Sequence, residues 1–301
     1  MRIAVAATPA VAIPTLNALF DSEHVLAFII TQPDRPAGRG LQLQESDVSQ
    51  WAAAKTIQTF KPETSEQLVL LLADIDVLLT IGYGVLLPSE VISAPTHGSL
   101  NLHFSLLPRW RGAAPVQRAI EAGDSLSGVT VFALDEGMDT GPIYSVKKFA
   151  LDSDITSDEL LIELADVGVE AVMEALVAIA SGAKPTPQKG EGATRAYKLQ
   201  KNEGEIDWHA SAEEISRKVR AFTTNPGAWT TFRGLTMKIE TVSISEKSAP
   251  PGLIIFEEKK VYVGTGTTAI SIGYCTPAGK QRMDSASWIN GARLNTGEKF
   301  G

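Results

Sequence analysis

Ser181-Gly-Ala-Lys-Pro-Thr-Pro-Gln-Lys-Gly-Glu-Gly192 divides the chain in two. Glycine, proline and lysine at this density, with no apolar period, cannot sustain a helix or a central strand, so the stretch reads as a linker. Upstream of it, short apolar runs alternate with amphipathic stretches. Ile3–Ala7, Val25–Ile30, Asp76–Ile81 and Gly98–Leu102 read as strands, with helices at Pro14–Phe20, Ser46–Lys55 and Ser65–Leu72 between them. Runs that are apolar on both faces and separated by helices specify a parallel sheet covered on both sides. A helix at Ala114–Ala122 and strands at Val129–Leu134 and Ile143–Phe149 follow. A long helix at Ser157–Ala180 then carries Leu160, Leu161, Leu164, Val167 and Ala171 on one face. Downstream the pattern changes. One helix, Ser211–Phe222, precedes short β-rich runs at Trp229–Phe232, Met237–Ser245, Leu253–Phe256, Val261–Gly264 and Ile270–Tyr274. Closely spaced strands with turn residues between them suggest a small barrel.

The 301 residues are enough for two domains, and 44% hydrophobic residues are enough to give each a core. A single cysteine, Cys275, excludes a disulfide scaffold and any cysteine-based metal cluster. The four histidines, His24, His97, His103 and His209, show no metal-ligand spacing. No apolar run approaches the ~20 residues that span a bilayer. Met1-Arg-Ile-Ala-Val-Ala6 lacks the regions of a signal peptide and reads as a first buried strand, so a cytoplasmic location is expected. The net charge of -8 argues at first against a nucleic-acid partner. The charge is uneven, however. Residues 1–203 carry 15 basic and 25 acidic side chains, and residues 204–301 carry 12 and 10, so the C-terminal third is mildly basic.

The chemistry concentrates in Asn101-Leu-His-Phe-Ser-Leu-Leu-Pro-Arg-Trp-Arg-Gly-Ala-Ala-Pro115. Asn101 and His103 lie two apart at the end of an expected strand, so both side chains face the same way. The C-terminal ends of strands are where open α/β sheets hold ligands. The next strand runs into Asp135-Glu-Gly-Met-Asp139-Thr-Gly-Pro142, whose glycines let backbone approach a ligand. From there Asp139 is expected to reach back to the imidazole and fix its tautomer. An amide, an imidazole and a carboxylate without a nucleophilic serine or cysteine suit transfer of an acyl group between two bound substrates. Asn101 and protonated His103 would donate to an oxyanion, and Asp139 would hold the imidazolium and help deprotonate an amine.

These residues resemble the formyltetrahydrofolate-dependent formyltransferase family, whose members share Asn-x-His and the later Asp. The matches also include Thr31-Gln-Pro-Asp-Arg-Pro-Ala-Gly-Arg-Gly40, Gly82-Tyr-Gly-Val-Leu-Leu-Pro88 and Met138-Asp-Thr-Gly141. In the second half they are Ile206-Asp-Trp208, Arg220-Ala-Phe222, Asn225-Pro-Gly-Ala-Trp229 and Pro277-Ala-Gly-Lys280. The Thr31–Gly40 loop and the C-terminal matches are those of the family's tRNA-acting branch. The resemblance implies an α/β fold, with a Rossmann-like, mostly parallel sheet domain at 1–184, a linker at 185–206 and a small OB-like β-barrel at 207–301. It implies 10-formyltetrahydrofolate as donor, the α-amine of methionyl initiator tRNA as acceptor, and no metal, membrane or DNA. A monomer in a bacterial cytoplasm is expected. Asn101, His103 and Asp139 are the implied catalytic residues. Ile81, Tyr83, Gly84, Val85, Leu86, Ser105, Leu106, Leu107, Pro108, Asp135 and Gly137 are assigned to the folate. Arg35, Arg39, Arg111, Arg217 and Arg220 are assigned to the tRNA.

The chain departs from the family pattern at three places. Ala6-Ala-Thr-Pro9 stands where the family has Ala-Gly-Thr-Pro, and Phe104 where it has a small residue. Leu41-Gln-Leu-Gln-Glu-Ser-Asp-Val-Ser49 is acidic where the family is lysine-rich, which weakens phosphate attraction there. Two rival readings remain: a formyltransferase acting on a small amine such as an amino sugar, and a tRNA-binding protein without catalysis.

Overall fold

The computed structural model describes residues 1–37, 42–223 and 225–301. Seven strands form the main sheet. They are β1 (Arg2–Ala7), β2 (Val25–Ile30), β3 (Thr59–Phe60), β4 (Val77–Ile81), β5 (Ser99–His103), β6 (Leu126–Ala133) and β7 (Ile143–Ala150). Their order is β7-β6-β5-β4-β1-β2-β3. The pairs from β3 through to β5 are parallel, and β6 and β7 close the sheet in antiparallel fashion. The Rossmann-like expectation is met. The chain starts in the middle, winds out through β2 and β3, then returns to the other side of β1. That reversal opens a crevice beyond the C-terminal ends of β1 and β4.

The local sequence explains the layers. Every residue of β4 is buried, as a central parallel strand requires. The helix Ser65–Leu72 starts at a capping box in which the Thr64 and Gln67 side chains satisfy each other's backbone amides. Its Leu68 and Leu72 pack against Ala4, Ala6, Ile30 and Leu78 of the sheet. Each such leucine contributes roughly 1.5–3 kcal/mol by leaving water.

Two compact units share the chain. Met1–Pro115, Leu126–Ala150 and Leu161–Tyr197 form the first, and Val116–Ser125, Leu151–Leu160 and Lys198–Gly301 the second. Within the stretch read as a linker, Arg195–Ala196 forms a strand paired in parallel with Arg111–Gly112, and Lys201–Gly204 forms a 3-10 turn.

The second unit contains two four-stranded antiparallel sheets. Two single strands of the sequence reading each break into a pair. Met237–Ser245 divides into Leu235–Ile239 and Val242–Ile244, and Ile270–Tyr274 into Ile270–Ile272 and Tyr274–Pro277, with one half in each sheet. The corner forms at Thr241, whose carbonyl accepts from the Gly273 amide (2.9 Å) and whose Oγ1 accepts from the Tyr274 amide (2.8 Å). A strand that changes sheets keeps its apolar pattern through the bend, so hydrophobicity alone does not reveal it. The helix Ser285–Ala292 was also missed, although Asp284 caps it through the Ser287 amide. No helix among the described residues is long and apolar enough to cross a membrane.

Candidate active site

Asn101 and His103 occupy alternate positions at the end of β5, so the pleat aims both at one cavity of about 500 Å³. Asp139 reaches the same cavity from the loop that joins β6 to β7. The three side chains expected to act together are therefore brought together.

Each is held by its own partner. Thr80 Oγ1 donates to Asn101 Oδ1 at 2.7 Å, sharing its proton with the Leu100 carbonyl at 3.0 Å. With the oxygen so occupied, the Asn101 amide nitrogen is the face left for another acceptor. His103 is buried, and its Nε2 lies 2.9 Å from the Trp110 carbonyl. A carbonyl only accepts, so Nε2 carries the proton and Nδ1 is the nitrogen free to change state. Nδ1 faces Asp139 Oδ2 at 3.7 Å. The tautomer is thus set by Trp110 rather than by Asp139, the residue expected from the sequence. Asp139 Oδ2 is itself anchored by the Gly112 amide at 2.7 Å.

Two backbone positions are unusual. Trp110 and Asp139 both sit in the left-handed region, at φ 63° and 53°. A bulky L-residue there costs about 1–2 kcal/mol. At both positions that conformation accompanies a contact to the site: the Trp110 carbonyl to the imidazole and the Asp139 carboxylate to Gly112.

Burial pushes the His103 imidazole below its ordinary range, and the Asp139 carboxylate and Trp110 carbonyl pull the other way without overcoming it. The resting imidazole is neutral near neutral pH. The unfolded chain takes up a proton near pH 6.5, about the ordinary imidazole value, whereas the folded chain takes it up only lower. The stability held in neutral His103 is therefore complete above that range and declines as pH falls through it. Urea unfolding at about pH 7 and about pH 5 is expected to show a larger acid loss in wild type than in His103→Asn. Equal losses would remove His103 as the source.

The residues assigned to the folate divide into two groups. Tyr83, Gly84, Val85, Leu86, Asp135 and Gly137 line the cavity. Ile81 and Ser105–Pro108 are not among its lining residues. Ile81 is fully buried, Ser105 donates to the Arg109 carbonyl at 2.6 Å, and the Leu107 amide donates to Thr130 Oγ1. Val85, Leu86 and Met138 leave large apolar surfaces exposed at the cavity. Phe104 and Leu87 also line it. The glycine after Asp139 serves the chain itself rather than a ligand: a Cβ at Gly141 would collide with the Ala133 carbonyl.

The arginines assigned to tRNA are scattered. Arg35 lies in the short strand Arg35–Ala37, which pairs with Gln42–Gln44, and Arg39 lies outside the described residues. Part of the acidic Leu41–Ser49 loop forms that second strand, and Ser46 caps the helix Asp47–Ala54. Arg111 donates twice to Gln188 Oε1, at 2.6 and 3.2 Å. Arg217 donates to the Glu121 carbonyl and Arg220 to the Ile155 carbonyl.

Thr80, Trp110 and Gln188 carry contacts that motif reading missed. Thr80 was detectable as the one polar residue in the otherwise apolar run Val77–Ile81. The roles of Trp110 and Gln188 arise from tertiary contacts and leave no local signal.

A Rossmann-like sheet with an amide, an imidazole and a carboxylate converging beyond its strand ends is the architecture of a group-transfer enzyme. The family model described as formyl transferase matches residues 1–176, and that of its C-terminal domain matches residues 198–293; the chain belongs to this family. Within it, a protein named methionyl-tRNA formyltransferase from Thermobifida fusca is 40% identical, over 100% of this chain and 99% of its own. A protein of the same name from Streptomyces coelicolor is also 40% identical, over 100% of both chains. Among solved structures, HypX from Aquifex aeolicus in complex with tetrahydrofolic acid superposes with a TM-score of 0.69 at 20% identity. That match covers 99% of this chain and 48% of HypX, so the chain spans about half the length of that protein.

Proposed function

We propose that this protein transfers the formyl group of 10-formyltetrahydrofolate to the α-amine of methionyl initiator tRNA, the modification that prepares this tRNA for translation initiation. The observation that carries the reading is the convergence of Asn101, His103 and Asp139 on one cavity in a chain of this family. The full-length relatives named methionyl-tRNA formyltransferase support the acceptor. The folate-bound structure of HypX supports the class of donor. The protein acts as a monomer in a bacterial cytoplasm, on this reading.

The cavity suits a folate. Val85, Leu86 and Met138 give the cavity exposed apolar surface that would suit a flat ring system, and the 82–87 and 135–139 loops that line it would meet the ring's polar groups with backbone. Tyr83, Gly84, Val85, Leu86, Asp135 and Gly137 would hold it, and Ile81 and Ser105–Pro108 would shape the wall behind. When bound, this donor supplies an activated formyl carbon. The protein's own groups then act in turn. Asn101 donates its amide N–H to the oxygen that becomes negative as the amine attacks. His103 joins it through Nδ1 once that nitrogen, unprotonated at rest, has taken up the proton released by the attacking amine, because Nε2 is committed to Trp110. Donors of this kind are each worth roughly 2.7–4 kcal/mol of barrier. Asp139 balances the imidazolium formed when Nδ1 is protonated. It also helps remove the proton of the attacking amine, directly or through a water, and that one proton passes by way of Nδ1 to the departing folate nitrogen. One C–N bond forms and one breaks, with no covalent enzyme intermediate. Arg35, Arg39, Arg111, Arg217 and Arg220 bring positive charge to the tRNA. Arg111, Arg217 and Arg220 also make hydrogen bonds within the chain.

A formylation assay with 10-formyltetrahydrofolate and charged initiator tRNA tests the proposal against its rivals. Formyl-methionyl-tRNA is the expected product. Formylation only of an amino sugar or another small amine, or retention of the tRNA without product, would overturn it. Within this mechanism Thr80→Val keeps the side-chain shape and removes the hydrogen bond to Asn101. The amide is then free to present its oxygen to the oxyanion. A fall in kcat of about 5–10-fold is expected, the equivalent of about 1 kcal/mol. Steady-state kinetics at saturating substrates would show it, and an unchanged kcat would mean that Asn101 needs no such support.

A further inference from the structure

The residues after the long helix Ser157–Ala180 run beside the turn that carries Trp110 and the loop that carries Asp139. Thr194 Oγ1 accepts from the Trp110 amide at 2.8 Å, and the Thr194 carbonyl accepts from the Arg111 amide at 2.9 Å. The Ala196 carbonyl accepts from the amides of Ala113 and Ala114. Gly112, at φ 126°, lies so close to Ala196 that a Cβ would stand 2.6 Å from that carbonyl. This half of the segment grips the turn whose Trp110 carbonyl fixes the imidazole.

Gln188 grips the other turn. Its Nε2 donates to the carbonyls of Asp139 (3.0 Å) and Gly141 (2.8 Å), and its Oε1 receives the Arg111 guanidinium. Both amide hydrogens and the amide oxygen are therefore used. One side chain ties the Asp139 turn, which is held in a strained left-handed conformation, to the residue that follows Trp110. Nothing else in its chemistry requires a glutamine; a surface segment held only by packing would have no use for two donors and an acceptor in this geometry.

We propose that Gln188 is a positioning residue for the formyl transfer described above, setting the distance between the Asp139 carboxylate and the His103 imidazole by fixing the 139–141 turn against Arg111. It touches neither substrate. The inference rests on the reading of Asp139 and His103 as catalytic, and it can be tested apart from that reading. The Gly112 amide donates to Asp139 Oδ2, so its hydrogen exchange reports whether the carboxylate is in place with no substrate present.

The test compares wild type with Gln188→Ala and Gln188→Glu. The glutamate keeps an oxygen for Arg111 and loses both donors to the carbonyls, so it should behave like the alanine and not like wild type. In the free protein, NMR exchange of the Gly112 amide is expected to rise by roughly 10-fold or more in both variants. In the formylation assay kcat is expected to fall roughly 10- to 100-fold, the scale of an ångström-sized misplacement, with KM for each substrate within about threefold. Unchanged exchange at Gly112 in the folded variants overturns the proposal whatever the activity. So does a kcat equal to wild type, or full activity in Gln188→Glu. If one variant does not fold, the other decides. A wild-type protein with no formylation activity would instead count against the proposed function, while the Gly112 exchange would still settle whether Gln188 holds the turn.

Discussion

His103→Ala is expected to lower kcat for formyl transfer by about a thousandfold or more while the protein still folds. Two losses combine. One oxyanion donor disappears, which by itself costs on the order of 10²–10³ in rate. The group that accumulates positive charge opposite Asp139 disappears with it. KM should change little, because a neutral buried imidazole makes no large contribution to ground-state binding. Asp139→Asn isolates the second loss. An asparagine can still accept from the Gly112 amide, so the turn is kept and only the charge is removed. A similar fall in that variant would show that the carboxylate acts electrostatically and not merely as a brace. Single-turnover formyl transfer with charged tRNA measures both. Turnover within about tenfold of wild type in His103→Ala would rule out the imidazole as a catalyst.

Gly141→Ala should give the largest change in stability. The added Cβ would run into the Ala133 carbonyl, and that atom is backbone in β6 rather than a side chain that can rotate away. The neighbouring Ala133 amide bonds to the Pro142 carbonyl, so relief requires the β6–β7 connection to open. Overpacking of this kind costs up to about 3 kcal/mol, and the unyielding obstacle puts this case at the upper end. A fall in Tm of about 6–12 °C for the first unit is expected. Calorimetry would check it. A Tm within about 2 °C of wild type would show that the turn can relax.

The sheet was legible because its central strands are apolar on both faces and are separated by amphipathic stretches, one of which starts at the Thr64 capping box. The helices at Ser65–Leu72 and Ser157–Ala180 run as the pattern predicted. Asn101 and His103 were legible for a different reason. Alternation in a strand fixes which residues share a face, and the sheet topology fixes where ligands gather. The supports of the site were less legible. The Trp110 carbonyl is a backbone atom, and no side-chain motif encodes where a carbonyl points. Gln188 lay inside a stretch whose glycines and prolines suggested only flexibility. Composition reports what a segment cannot form by itself, not what it can be bonded to. In the second unit, the bend at Thr241 and Gly273 was hidden because both halves of each strand keep the same residue chemistry.

The paired stretch Arg195–Ala196 has a consequence for anyone who would dissect the molecule. A fragment ending after Lys184 would keep Asn101, His103 and Asp139 and so look complete by motif. It would also lack Gln188, Thr194 and Ala196, and the two turns facing the cavity would lose their outer walls. A fragment ending at Tyr197 retains them. The breakpoint that respects the chemistry therefore lies about a dozen residues beyond the one that glycine and proline content alone would select.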